Sequence, residues 1–204
     1  MTGEIAWEPT EERRELGDAL RRLLDVVVET GASADDLRAA AGVIDEMTAK
    51  LATSTVRADR SVAAGSYRAH MSLVGGLSHP IAPQLQMNVD GDAGQGEVVI
   101  GPLFQGGPGL VHGGVLALLI DHALGCVGAG PRRPAMTVKL DLRYRRPTPL
   151  GVPLTVSARL DRIEGRKLIM SAEIVANGEV TVDAEAVFLT LTPANLETVF
   201  GGPA

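Results

Sequence analysis

The sequence predicts an α+β chain in two unlike parts, a helical N-terminal segment and an antiparallel sheet built around one long helix. Three observations predict it. Apolar residues recur at helical spacing between Thr10 and Ala52. Past Pro83 they recur with period two, in stretches rich in β-branched residues. Between two groups of such stretches lies a single segment, 113–127, that has no polar face.

The first helix carries Leu16, Leu20, Leu23 and Val27 on one stripe, with Thr10 as N-cap, Glu11 and Glu12 in an acidic first turn, and Gly31 placed to end it. The second carries Leu37, Ala41, Ile44, Met47 and Leu51, and opens on Ser33 with Asp36 three residues on, a capping-box pattern. Both polar faces read as solvated, and the pair reads as an extension that packs on something else. Short strands are expected at 84–89 and 96–101, with Asp90-Gly91 at the turn. After the long helix come alternating runs at 136–146, 152–163 and 168–191. Asn177-Gly178 divides the last of these, and that pair between apolar-alternating runs signals a hairpin. The expected division is a helical extension over 1–60, a linker over 61–79, the sheet domain over 80–193 and a tail over 194–204.

Composition narrows the function classes. The chain has 204 residues, 45% hydrophobic and 22% charged, which suffices for a folded core. Its formal net charge of −6 argues against a nucleic-acid partner, because neutralising phosphates needs a clustered excess of Lys and Arg. That charge is uneven: residues 1–60 hold 13 acids against 8 bases, whereas 132–146 holds six bases (Arg132, Arg133, Lys139, Arg143, Arg145, Arg146) against Asp141 alone. With 1 Trp, 2 Tyr and 3 Phe, the core is expected to be built from Leu, Val, Ile and Ala, and stacking platforms for bases are not expected. One cysteine, Cys126, forms no internal disulfide and no paired-Cys metal motif, which fits a reduced, cytoplasmic setting. The acidic start and the lack of an 18-residue uncharged apolar stretch lead to the expectation of neither a secretion signal nor a membrane span.

Asp121 stands out in the apolar helix. A carboxylate in such a helix is costly unless it is hydrogen-bonded or has work to do, and both readings stand on the residue alone. His112-Gly113-Gly114 raises the second, since two glycines let a ligand approach the unpaired N–H groups of the first turn, a site for developing negative charge. The loop Gln105-Gly106-Gly107-Pro108-Gly109 leads into that end and lacks a nucleotide-loop pattern. Eight residues of helix separate Gly113 from Asp121, roughly 12 Å. If both act in one reaction, the aspartate must come from a second copy, in a symmetric dimer with two composite sites. His122 reads as a core or interface histidine and Cys126 as a small core residue, while the spacing around His70 and His79 matches no metal-ligand pattern, so no metal is expected.

The segments 111–121 (VHGGVLALLID) and 144–151 (YRRPTPLG), at their spacing, resemble the hotdog-fold acyl-CoA thioesterases of the phenylacetyl-CoA type, within the 4-hydroxybenzoyl-CoA thioesterase superfamily. The resemblance covers about 80–193. It implies a long helix wrapped by an antiparallel sheet, edge-to-edge homodimers and often tetramers, and hydrolysis of an acyl-CoA thioester with no cofactor, CoA being part of the substrate. By position it makes Asp121 the catalytic general base or nucleophile, Gly113 the backbone donor that polarises the thioester carbonyl, and His112 the neighbour that binds the thioester or shapes the loop. It makes Thr137 the hydroxyl that bonds the attacking water or the aspartate. Gly114 and Gln105 join the substrate contacts; where some members have an Asn six residues before the histidine, this chain has Gly106. Arg143, Arg145 and Arg146 are candidates for the CoA phosphates, against the alternative of a solvated sheet face. Strict alternation puts Thr137, Lys139, Asp141 and Arg143 on one face of their strand, and Val138, Leu140, Leu142 and Tyr144 on the other. The competing function is a non-catalytic acyl-CoA-binding or regulatory protein of the same fold.

Overall fold

The computed structural model describes residues 10–54, 70–128 and 134–192. Arg132, Arg133, residues 61–69 of the expected linker and the expected tail lie outside them. Helix α1 (Glu11–Glu29) and helix α2 (Ala34–Ala52) are followed by strands β1 (Asn88–Asp90) and β2 (Ala93–Val99), a 3-10 turn (Pro102–Phe104) and helix α3 (Gly113–Gly128). Strands β3 (Ala135–Tyr144), β4 (Pro153–Glu164), β5 (Lys167–Ala176) and β6 (Glu179–Thr190) complete one antiparallel sheet in the order β1-β2-β4-β5-β6-β3. Helix α3 lies across one face of it, mainly over β4, β5 and β3. This is the hotdog fold.

A row of small residues makes room for the helix. Gly94 pairs with Ala158, Ala158 with Ala172 and Ala172 with Ala184, so a shallow trough crosses four strands. Leu119, Ile120, Ala123 and Leu124 of α3 are fully buried over that face, beside Val156, Met170 and Ile174. Each such aliphatic side chain contributes about 1.5–3 kcal/mol on burial. The β5–β6 hairpin turns at Asn177 (φ 52°) and Gly178 (φ 79°), the two positive angles that a type I′ turn requires and that this pair of residues tolerates.

Four expectations change. Thr10 and Ser33 do cap α1 and α2, Ser33 Oγ accepting the Asp36 N–H at 3.2 Å and donating to its carboxylate at 2.6 Å. Yet α1 closes on Thr30 in an extended conformation, so Gly31 is not used as a left-handed cap. The strand expected at 84–89 shrinks to Asn88–Asp90. Gln84 has φ 64°, the Leu85 N–H goes to Val74 O at 3.2 Å instead of joining a ladder, and Leu85 and Met87 pack into the hydrophobic core. The second expected strand, 96–101, shifts to Ala93–Val99. Finally, α3 is not buried all round: Gly114, Ala117, Asp121, His122 and Gly125 lie half-buried or exposed, because the sheet of one chain covers only one side of it.

The extension splits in its behaviour. Helix α1 lies on the segment after residue 70 and on the 3-10 turn, with Gly17 against Ser78 and the Asp25 carboxylate accepting the Leu103 N–H at 3.5 Å. Every residue of α2 is exposed. No helix among the described residues is long and apolar enough to cross a membrane.

Candidate active site

Helix α3 carries both ends of the candidate chemistry. At its N-terminus, His112 acts as the cap: its Nδ1 accepts the Gly114 N–H at 3.0 Å, and its carbonyl accepts from Val115 and Leu116. With Gly114 engaged by His112, Gly113 is the first-turn N–H left without an acceptor among the described residues. The Tyr144 hydroxyl donates to the Gly113 carbonyl at 3.0 Å, a contact the sequence did not signal beyond placing an aromatic at that strand end.

The glycine-rich loop is built from backbone. Gln105 Oε1 accepts the Gly109 N–H at 3.0 Å, and the Gly106 N–H goes to Leu110 O at 2.9 Å. A Cβ at Gly106 would lie 2.8 Å from His112 Cα, so this backbone path has no room for the Asn that some relatives carry there.

Two turns along the helix, Asp121 Oδ1 accepts a hydrogen bond from Thr137 Oγ1 at 2.8 Å. Strict alternation along β3 would turn Thr137 to the outer face with Lys139. A β-bulge prevents this: Thr137 pairs with Phe188 and Lys139 with Val187, leaving Val138 as the extra residue. Thr137 thereby shares the inner face with Leu140 and Leu142 and meets the helix, which corrects the face expected from alternation.

Asp121 and Thr137 line an open cleft of about 820 Å³. Its walls come from α3 (His122, Gly125, Cys126), from β3 and β6 (Met136, Phe188) and from Ser72, Gly75, Leu77 and Leu85 to Met87. His122 and Cys126 thus belong to the cleft wall, not to the interior of the core; only the tertiary placement of the 72–87 segment could reveal it. Burial holds the His122 imidazole below its usual value, against the opposing effects of its hydrogen bond to the Leu85 backbone and of the Asp121 charge. Cys126 Sγ lies 3.6 Å from His122 Nε2, and burial pushes its thiol up, which disfavours a thiolate nucleophile. Among the described residues no group of three or more His, Cys, Asp or Glu is placed to hold a metal ion.

The described residues of the basic stretch are paired within the chain. Arg143 reaches Asp183 at 3.4 Å and Glu185 at 3.3 Å, Arg145 also bonds Asp183, and Arg146 reaches Glu179 at 3.4 Å. Lys139 pairs with Asp141 at 2.6 Å. The Arg145 hydrogen bond holds the Asp183 carboxyl below the ordinary carboxylate range. The basic side chains of these pairs are exposed, and ion pairs of this kind contribute little to stability.

Comparison with known proteins fits this arrangement. The profile of the thioesterase superfamily matches residues 108–182. A solved structure described as protein RHA08564, a thioesterase superfamily protein, is 31% identical with a TM-score of 0.80, covering 90% of this chain and 98% of that one. The chain belongs to the thioesterase superfamily. The bovine (Bos taurus) acyl-coenzyme A thioesterase THEM4 is 41% identical over 101 residues, 48% of this chain and 41% of the bovine protein. The match thus spans about two-fifths of that relative's length. A Streptococcus pneumoniae thioesterase structure with coenzyme A shares the fold at 17% identity, with a TM-score of 0.50 over 52% of this chain and 87% of that one.

Proposed function

We propose that this chain hydrolyses acyl-CoA thioesters to free acid and CoA, at composite sites across a homodimer. The observation that carries the reading is the carboxylate of Asp121, oriented by Thr137 at 2.8 Å inside a largely apolar cleft. The likeness to the bovine acyl-CoA thioesterase over 101 residues supports the substrate class. In the reaction, the Gly113 N–H, at the positive end of α3, stabilises the oxyanion formed from the thioester carbonyl. Asp121 takes a proton from the attacking water, or attacks the carbonyl itself to form an anhydride that water then opens. The C–S bond breaks and CoA leaves as the thiol once a proton returns to sulfur.

One helix cannot supply both groups, since eight residues of rise hold Gly113 roughly 12 Å from Asp121. The partner's α3 provides the other end. Strand β3 favours such an assembly: it is a ten-residue sheet edge with Met136, Val138 and Tyr144 exposed, and a bare edge of that length pairs readily with a copy of itself. Gly114 and Gln105 shape the loop at the thioester, and Arg143, Arg145 and Arg146 exchange their carboxylate partners for CoA phosphates. Cys126, the single cysteine of the sequence, suits a reducing compartment such as the cytoplasm.

The test is release of free thiol from a panel of acyl-CoAs. Wild type is expected to turn over at least one, and Asp121→Ala to lose that activity with its fold and subunit mass unchanged. Retention of most activity by Asp121→Ala on every accepted acyl-CoA contradicts the mechanism. Saturable binding by wild type without thiol release favours a sensor of the same fold.

A further inference from the structure

We propose that α1 belongs to the substrate cleft's architecture: it grips the back of the 72–87 segment and so positions the wall along which the acyl chain lies, with Arg21 as the positioning residue. The proposal rests on the acyl-CoA reading for the identity of the ligand.

The cleft wall that the 72–87 segment supplies consists of Ser72, Gly75, Leu77 and Leu85 to Met87, and between residues 72 and 87 no strand ladder holds it. It is fixed instead by single bonds. The Leu85 N–H reaches Val74 O at 3.2 Å, the Gln86 side-chain amide donates to Gly75 O at 2.6 Å, and the Gln84 amide donates to Leu77 O at 3.3 Å. Gln84 itself holds a left-handed φ of 64°, a conformation that persists only where surrounding contacts enforce it.

A second set of contacts, from α1, holds the segment at Leu77 to His79. The Arg21 guanidinium donates to Leu77 O at 3.3 Å and to His79 O, and pairs with Asp18 one turn earlier. Its side chain is only 16% exposed, so these bonds are shielded from water. One turn away, Gly17 lies so close to the segment that a Cβ there would sit 2.9 Å from Ser78 O. Leu77 links the two sides: it lines the cleft with Asp121, while its carbonyl is bound by Arg21. Arg21 does not line that cleft, so its influence on a ligand passes through the wall.

A ligand long enough to run along Leu77 and Leu85 should feel the loss of Arg21, and one that stops at the thioester should not. The experiment uses the full chain and two non-hydrolysable thioethers, S-dodecyl-CoA and S-methyl-CoA, titrated into wild type, Arg21→Ala and Arg21→Lys, alongside kcat on a cleavable long-chain substrate. Arg21→Ala is expected to weaken S-dodecyl-CoA about tenfold, to leave S-methyl-CoA within about twofold and to leave kcat unchanged, with Arg21→Lys recovering most of the loss. Equal weakening of both thioethers, or none of either, overturns the proposal. If Arg21→Ala melts below the assay temperature, Arg21→Gln, which keeps one amide donor, is read the same way. A wild type that binds S-dodecyl-CoA yet releases no thiol overturns hydrolysis and leaves this proposal standing. A wild type that binds neither thioether removes the ligand and overturns both.

Discussion

Thr137→Val isolates the contact on which the proposed chemistry turns. Valine keeps the branched shape, so the bulge at Val138 and the packing of β3 persist, and what is lost is the hydroxyl that donates to Asp121 at 2.8 Å. A hydrogen bond to a charged acceptor is worth about 1.5–3 kcal/mol. Because the pair faces an open cleft, water replaces part of it, and the lower end applies: about 1.5 kcal/mol, roughly a tenfold fall in kcat. The assay is steady-state thiol release at saturating acyl-CoA, with a thermal melt on the same samples. A kcat within about twofold of wild type, at unchanged stability, would refute the role given to Thr137.

Three further outcomes follow from the structure. Gly106→Asn, which installs the side chain some relatives carry, is expected to lower both activity and melting temperature, because its Cβ would lie 2.8 Å from His112 Cα; higher activity in this variant would show that the loop has another path. Thr148→Val is expected to raise stability by about 1 kcal/mol in urea titration, since the Thr148 hydroxyl is buried with no hydrogen-bond partner among the described residues; a loss of stability would point to a bound water there. Burial keeps the folded-state pKa of His122 below its unfolded value, so the unfolded chain binds the extra proton first and stability falls as pH drops through the mid-6 range towards 5. His122→Gln should flatten that slope in melts between pH 7.5 and 5, and an unchanged slope would remove His122 as its source.

Legibility in the sequence followed the range of the interaction. Local signals carried well: Thr10 and Ser33 as caps, Asn177-Gly178 as a turn, and the long strands after the helix all depend on residues a few positions apart. Gly113, His112 and Asp121 could be picked out because a carboxylate and a glycine pair are conspicuous on an apolar helix. What escaped depended on partners distant in the chain. The face of Thr137 turns on one extra residue in the β3–β6 register, which alternation cannot show. The membership of His122 and Cys126 in the cleft wall depends on a segment whose strand-like part, about forty residues earlier, packs into the core without forming a full strand. The acidic partners of Arg143 and Arg145 sit on β6, so a stretch that reads as strongly basic in sequence is paired in the fold.

The composite site is tested most directly by complementation between two inactive subunits. Asp121→Asn removes the carboxylate. Gly113→Pro removes the N–H at the first helical position, where proline is tolerated and a Cβ would lie 3.5 Å from the Tyr144 ring, an ordinary contact. Each variant alone should release no thiol. Unfolded and refolded together in equal amounts, they should form half mixed dimers, each with one intact site drawn from both chains, and recover about a quarter of wild-type activity. No recovery, with mixed dimers shown by mass to have formed, would place Asp121 and Gly113 in separate roles and contradict the shared site.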